Sequence, residues 1–95
     1  MRHTLTVVAY DIPSDGRRTR LHALLKQYGR PVQKSVFEAR LTHREREQML
    51  ARARRLLKPE QDHLVVYVVP PSQERNIASI GGHRPDTRVD PFFVV

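Results

Sequence analysis

The sequence contains no cysteine, which excludes a disulfide framework and any thiolate metal site, and points to a reducing, cytoplasmic setting. Long apolar runs are also missing. No stretch approaches the ~20 residues needed to span a bilayer, and the opening MRHTLTVVAYD holds no extended apolar segment followed by a small-residue cleavage site. A soluble protein without a membrane partner is expected. Acidic residues are scarce: 10 Asp and Glu stand against 17 Lys and Arg, for a formal charge of +7. That imbalance favours polyanions, nucleic acid first. The 95 residues are enough for one domain with a modest core, small enough for dimerisation to add to its stability.

What is present reads as alternating strands and helices. From Thr4 to Tyr10 the chain alternates, with Leu5, Val7 and Ala9 on one face of a strand and Thr6, Val8 and Tyr10 on the other. Pro13 holds Ile12 extended, and Ser14, Asp15 and Gly16 offer a turn and an N-cap to a helix in which Leu21, Leu24, Leu25 and Tyr28 share a face. Gly29 is read as its stop. Residues 32–41 alternate again, placing Phe37, Ala39 and Leu41 opposite Lys34, Glu38 and Arg40. Residues 31–41 supply either both middle strands or one strand bent near Lys34 and Ser35 together with a pairing from the tail; spacing alone leaves both open. Thr42 and Glu45 form a capping box for a second helix with Met49, Ala53, Leu56 and Leu57 on its apolar face and Arg44, Arg46, Arg52, Arg54, Arg55 and Lys58 as its charge.

The run HLVVYVVPP, from His63 to Pro71, is apolar at nearly every position and predicts a central strand covered on both faces. Residues 72–91 are polar and loop-like, with a short strand or turn at Asn76–Ile80. The closing residues FFVV (92–95) are apolar and need a sheet to join, since an open apolar edge is an aggregation hazard. The five histidines, His3, His22, His43, His63 and His83, are almost evenly spaced, but their neighbours do not match and no repeat is inferred. Strand, helix, strand, helix, strand is the order of an α+β, ferredoxin-like sandwich with two helices on one face of an antiparallel sheet.

Asp11 is the first candidate for chemistry, since a carboxylate at a strand end can face a cation or another chain, or simply accept N–H groups in the turn. Asp15, at the helix N-terminus, is read as a favourably placed cap. Arg17 and Arg18 in the same first turn are an unfavourable placement for cations, so they are read as solvent-facing phosphate contacts. Arg52 and Arg55 on the second helix are candidates for a track along a duplex backbone. Tyr10 and Phe37 either stack on bases or fill the core, and strand alternation favours the core.

VVAYDIPSDGRRTRLHALLKQYG, PVQKSVFEARL, the charged helix, HLVVYVV and the terminal DPFFVV together resemble the CRISPR-associated protein two family over essentially the whole chain. The resemblance rests on Tyr10-Asp11-Ile12 closing the first strand, Arg17 and Arg18 opening the helix, Tyr28-Gly29 closing it, and Ser35-Val36-Phe37-Glu38 in the next strand. It implies a CRISPR adaptation protein that is a homodimer of ferredoxin-like halves, with each C-terminal strand joining the partner's sheet. It also implies that the two Asp11 carboxylates face across the dimer axis and hold Mg2+. The activity implied is cleavage of phosphodiesters in single-stranded RNA or duplex DNA. The other role implied is a non-catalytic scaffold bridging the CRISPR integrase and DNA.

Overall fold

The computed structural model describes residues 2–81. In chain order it contains β1 (Thr4–Asp11), α1 (Asp15–Leu25), β2 (Arg30–Gln33), β3 (Val36–Leu41), α2 (His43–Leu56) and β4 (His63–Val69), followed by a 3-10 turn over Pro71–Asn76. The strands form one antiparallel sheet in the order β2-β3-β1-β4. Local chemistry sets the helix starts. The Ser14 hydroxyl accepts the Arg17 N–H, and Thr42 and Glu45 exchange side-chain and backbone bonds in a complete capping box.

Both helices cover the same face of the sheet. Val8 and Tyr10 from β1, Ile12 just beyond its end, Phe37, Ala39 and Leu41 from β3, Leu21, Leu24 and Leu25 from α1, and Met49 and Ala53 from α2 form one buried cluster. Each large side chain fully withdrawn from water there contributes about 1.5–3 kcal/mol. The architecture is the α+β, ferredoxin-like sandwich expected. On the other face, Leu5 is buried against Val7, Val32, Val69 and Ile77, and the Arg40–Glu74 ion pair, 2.6 Å long, ties the 3-10 turn to the sheet.

Four expectations are settled differently or more sharply. Residues 31–41 belong to two strands, because Ser35 takes a positive φ of 67° and reverses the chain at Lys34–Ser35; the single bent strand is excluded. β4 is an edge strand within the described residues, paired to β1 alone, with Tyr67 58% and Val68 45% exposed. An apolar run does not reveal whether its cover comes from its own chain. The helix ends at Leu25 rather than at Gly29; a Cβ on Gly29 would lie 2.1 Å from the Glu38 carbonyl oxygen and 2.6 Å from Ala39 Cβ, so glycine is required there by the close approach of β3. Residues 71–76 form the 3-10 turn in place of the short strand or turn expected at Asn76–Ile80. The C-terminal strand expected at 92–95 and the second half of the 72–91 segment lie outside the described residues. No helix among the described residues is long and apolar enough to cross a membrane.

Candidate functional site

Asp11 closes the first strand and is exposed. It follows Leu5, Val7 and Ala9 on the face that carries no helix, and its cross-strand partner is His63, the first residue of β4. The chain beyond it is firmly placed. Ile12 is buried, and its carbonyl oxygen accepts a 2.9 Å hydrogen bond from Arg18 Nη1. Arg18 is paired on its other side with Asp15. Asp15 therefore neutralises a neighbouring cation as well as favouring the helix start, while Ser14 is the residue that caps it.

Arg17 is corrected. It is 9% exposed, and its guanidinium grips the Asp62 carboxylate at two points: Nε to Oδ2 at 2.7 Å and Nη2 to Oδ1 at 3.0 Å. Nη2 also donates to Gln61 Oε1 at 2.9 Å, and the Lys58 N–H donates to Asp62 Oδ2 at 2.8 Å. The hydrogen bond from Arg17 holds the Asp62 carboxyl below the ordinary aspartate range, since the charged form is the one being satisfied. A guanidinium so engaged is unavailable to phosphate. Arg17 fastens the start of α1 to the turn before β4.

Arg52 is corrected in part. Its guanidinium lies 5.6 Å from the centre of the Tyr28 ring and donates to the Tyr28 hydroxyl at 3.0 Å and Gln27 Oε1 at 3.1 Å. It braces the turn after α1. Arg55, by contrast, is exposed, as are Arg44, Arg54 and Lys58.

Tyr10 and Phe37 are core residues, 8% and 2% exposed, with ring centres 6.3 Å apart. Burial pushes the Tyr10 hydroxyl pKa up, with Arg18 pulling weakly the other way. Base stacking on either ring is excluded in this arrangement. Beside Tyr10, a groove of about 600 Å³ opens between α1 and the β2–β3 turn, with Arg18, His22 and Lys34 on its walls. Sequence reading missed this groove and the Asp62 clamp, because both depend on contacts between distant segments.

Among the described residues no three His, Asp or Glu side chains gather closely enough to hold a metal. One chain therefore offers an incomplete donor set at Asp11. Mg2+ retains several waters and needs only one or two protein carboxylates alongside phosphate oxygens, so an exposed strand-end aspartate fits a site shared with a second chain.

The family model described as CRISPR associated protein Cas2 matches residues 4–77. The CRISPR-associated endoribonuclease Cas2 of Thermus thermophilus is 42% identical over 94 residues, covering 99% of this chain and all of the relative. The crystal structure of a hypothetical protein from Thermus thermophilus superposes with a TM-score of 0.76 at 46% identity, covering 87% of this chain and 95% of the other. A chain of a partial Cas6-RT-Cas1–Cas2 complex superposes with a TM-score of 0.68 at 26% identity, over 90% of this chain and 92% of that one.

Proposed function

This chain belongs to the CRISPR-associated Cas2 family, and on that premise we propose that it is a homodimeric, Mg2+-dependent endonuclease of CRISPR adaptation, with Asp11 of each protomer as the metal carboxylate. The observation that carries the reading is the position of Asp11: exposed, at the end of an interior strand, on the sheet face without helices. A cation held there supplies charge neutralisation to a phosphodiester under attack. The protein's own part is placement. The buried Ile12 and the Arg18 bond to its carbonyl fix the backbone from which Asp11 projects, and exposed cations on α2 draw in the phosphate backbone without reading bases.

Support for the dimer comes from the exposed apolar edge at Tyr67 and Val68 and the apolar FFVV terminus. In this reading each chain's last strand joins its partner's sheet. Cleavage assays on RNA and duplex DNA, comparing wild type with Asp11→Asn across a Mg2+ titration, test the enzyme. A second reading is favoured by the likeness to a chain of a Cas1–Cas2 assembly: a basic dimer that bridges the integrase and duplex DNA, in which cleavage plays no part. Under that reading Asp11→Asn leaves spacer acquisition intact.

A further inference from the structure

Asp11 and His63 form the last pair of the β1–β4 ladder. Residues directly opposite one another in an antiparallel pair project to the same face with Cβ atoms about 4.5–5.5 Å apart. A carboxylate and an imidazole therefore stand side by side at the end of the helix-free face. Both residues are exposed, and neither side chain is drawn into a hydrogen bond or ion pair among the described residues. The backbone beneath them is held from two directions. Ile12, next to Asp11, is buried and bonded through its carbonyl to Arg18, and Asp62, next to His63, is clamped by Arg17 and by the Lys58 N–H. The pair thus combines exposed donor atoms with a well-anchored backbone.

We propose that His63 is a second protein ligand of the cation site built on Asp11, so that each chain contributes one oxygen and one nitrogen donor, and that the site consequently holds a divalent transition metal such as Mn2+ through nitrogen as well as oxygen, while Mg2+ is held by the carboxylates alone. The proposal rests on the reading of Asp11 as a metal carboxylate. Ligands in adjacent positions around a metal with bonds of about 2.0–2.2 Å have donor atoms roughly 3 Å apart. Neighbouring Asp and His side chains on one sheet face span that separation by side-chain rotation alone. The hard Mg2+ ion gains little from an imidazole nitrogen, whereas first-row transition metals accept it readily. Two chains meeting at Asp11 would present two carboxylates and two imidazoles, a donor set suited to those metals and richer than Mg2+ requires.

The test uses the full chain and metal alone. Mn2+ and Mg2+ affinities would be measured by calorimetry and by the electron paramagnetic resonance of unbound Mn2+, for wild type, His63→Gln and Asp11→Asn. Pulsed resonance on the wild-type Mn2+ complex would look for coupling to a ligand nitrogen, a signature independent of how any variant folds. The expected result is nitrogen coupling in wild type that is lost in His63→Gln, together with Mn2+ affinity reduced about tenfold or more and Mg2+ affinity nearly unchanged. Mn2+ bound without nitrogen coupling, or with undiminished affinity in His63→Gln while Asp11→Asn abolishes it, overturns the role of His63 and leaves Asp11 as the metal carboxylate. Affinities for both metals unchanged in Asp11→Asn overturn the underlying reading as well.

Discussion

Arg17 and Asp62, 45 positions apart, meet through a two-point charged contact with the shorter bond at 2.7 Å, and the Asp62 side chain is wholly shielded from solvent. The contact joins the start of α1 to the turn that launches β4, and so fixes both strand ends at which Asp11 and His63 lie.

Removing either partner leaves the other charge buried and unpaired, a costly state. Arg17→Ala and Asp62→Ala should each lower Tm by several degrees, and the double variant should lose less than the sum of the two. Full additivity in thermal unfolding would show that the pair is not coupled.

The same contact sets an acid sensitivity. The Asp62 carboxyl lies below its ordinary value in the folded chain, so its stabilising contribution is complete above the unfolded aspartate pKa of about 3.9 and disappears as pH falls from there through the lower folded value. Wild type should lose stability across that acid window more steeply than Asp62→Asn. Parallel curves in urea unfolding at stepped pH would contradict the assignment.

The exposed cations of α2 and the packed one should separate in experiment. Arg54→Glu with Arg55→Glu should weaken binding to unrelated duplexes alike and make the log-affinity against log-salt slope shallower by about 2, since each phosphate contact contributes about 0.9. Arg52→Glu should act chiefly through a lower Tm, because that side chain is engaged with Tyr28 and Gln27. Equal effects of all three on DNA affinity with no change in Tm would oppose this division.

What the sequence disclosed follows the range of the forces involved. The Thr42–Glu45 capping box and the faces of β1 and β3 were legible because their partners sit two to four residues away. Asp11 was legible as a strand terminus for the same reason, with Pro13 just beyond it. Arg17 was misread because its counter-charge lies across the fold, and no local pattern distinguishes an arginine facing phosphate from one facing a buried aspartate. β4 was misread because uniform apolarity describes burial without saying by which chain, and Tyr67 and Val68 remain exposed in the single chain.

That exposure leads to the assembly. Deleting residues 92–95 should yield monomer or aggregate in sedimentation, since the proposed exchange leaves the edge of β4 uncovered without them. A well-behaved dimer after deletion would remove the tail from the interface.

The central claim is that Asp11 holds the cation on which cleavage depends. Asp11→Asn keeps the size and hydrogen-bonding capacity of the side chain while removing the charge a hard cation requires. Measured with RNA and duplex DNA substrates over a Mg2+ titration, its cleavage rate should fall by orders of magnitude while sedimentation and DNA affinity stay close to wild type. Cleavage by Asp11→Asn at the wild-type rate, or no cation-dependent cleavage by wild type on either substrate, would contradict the account.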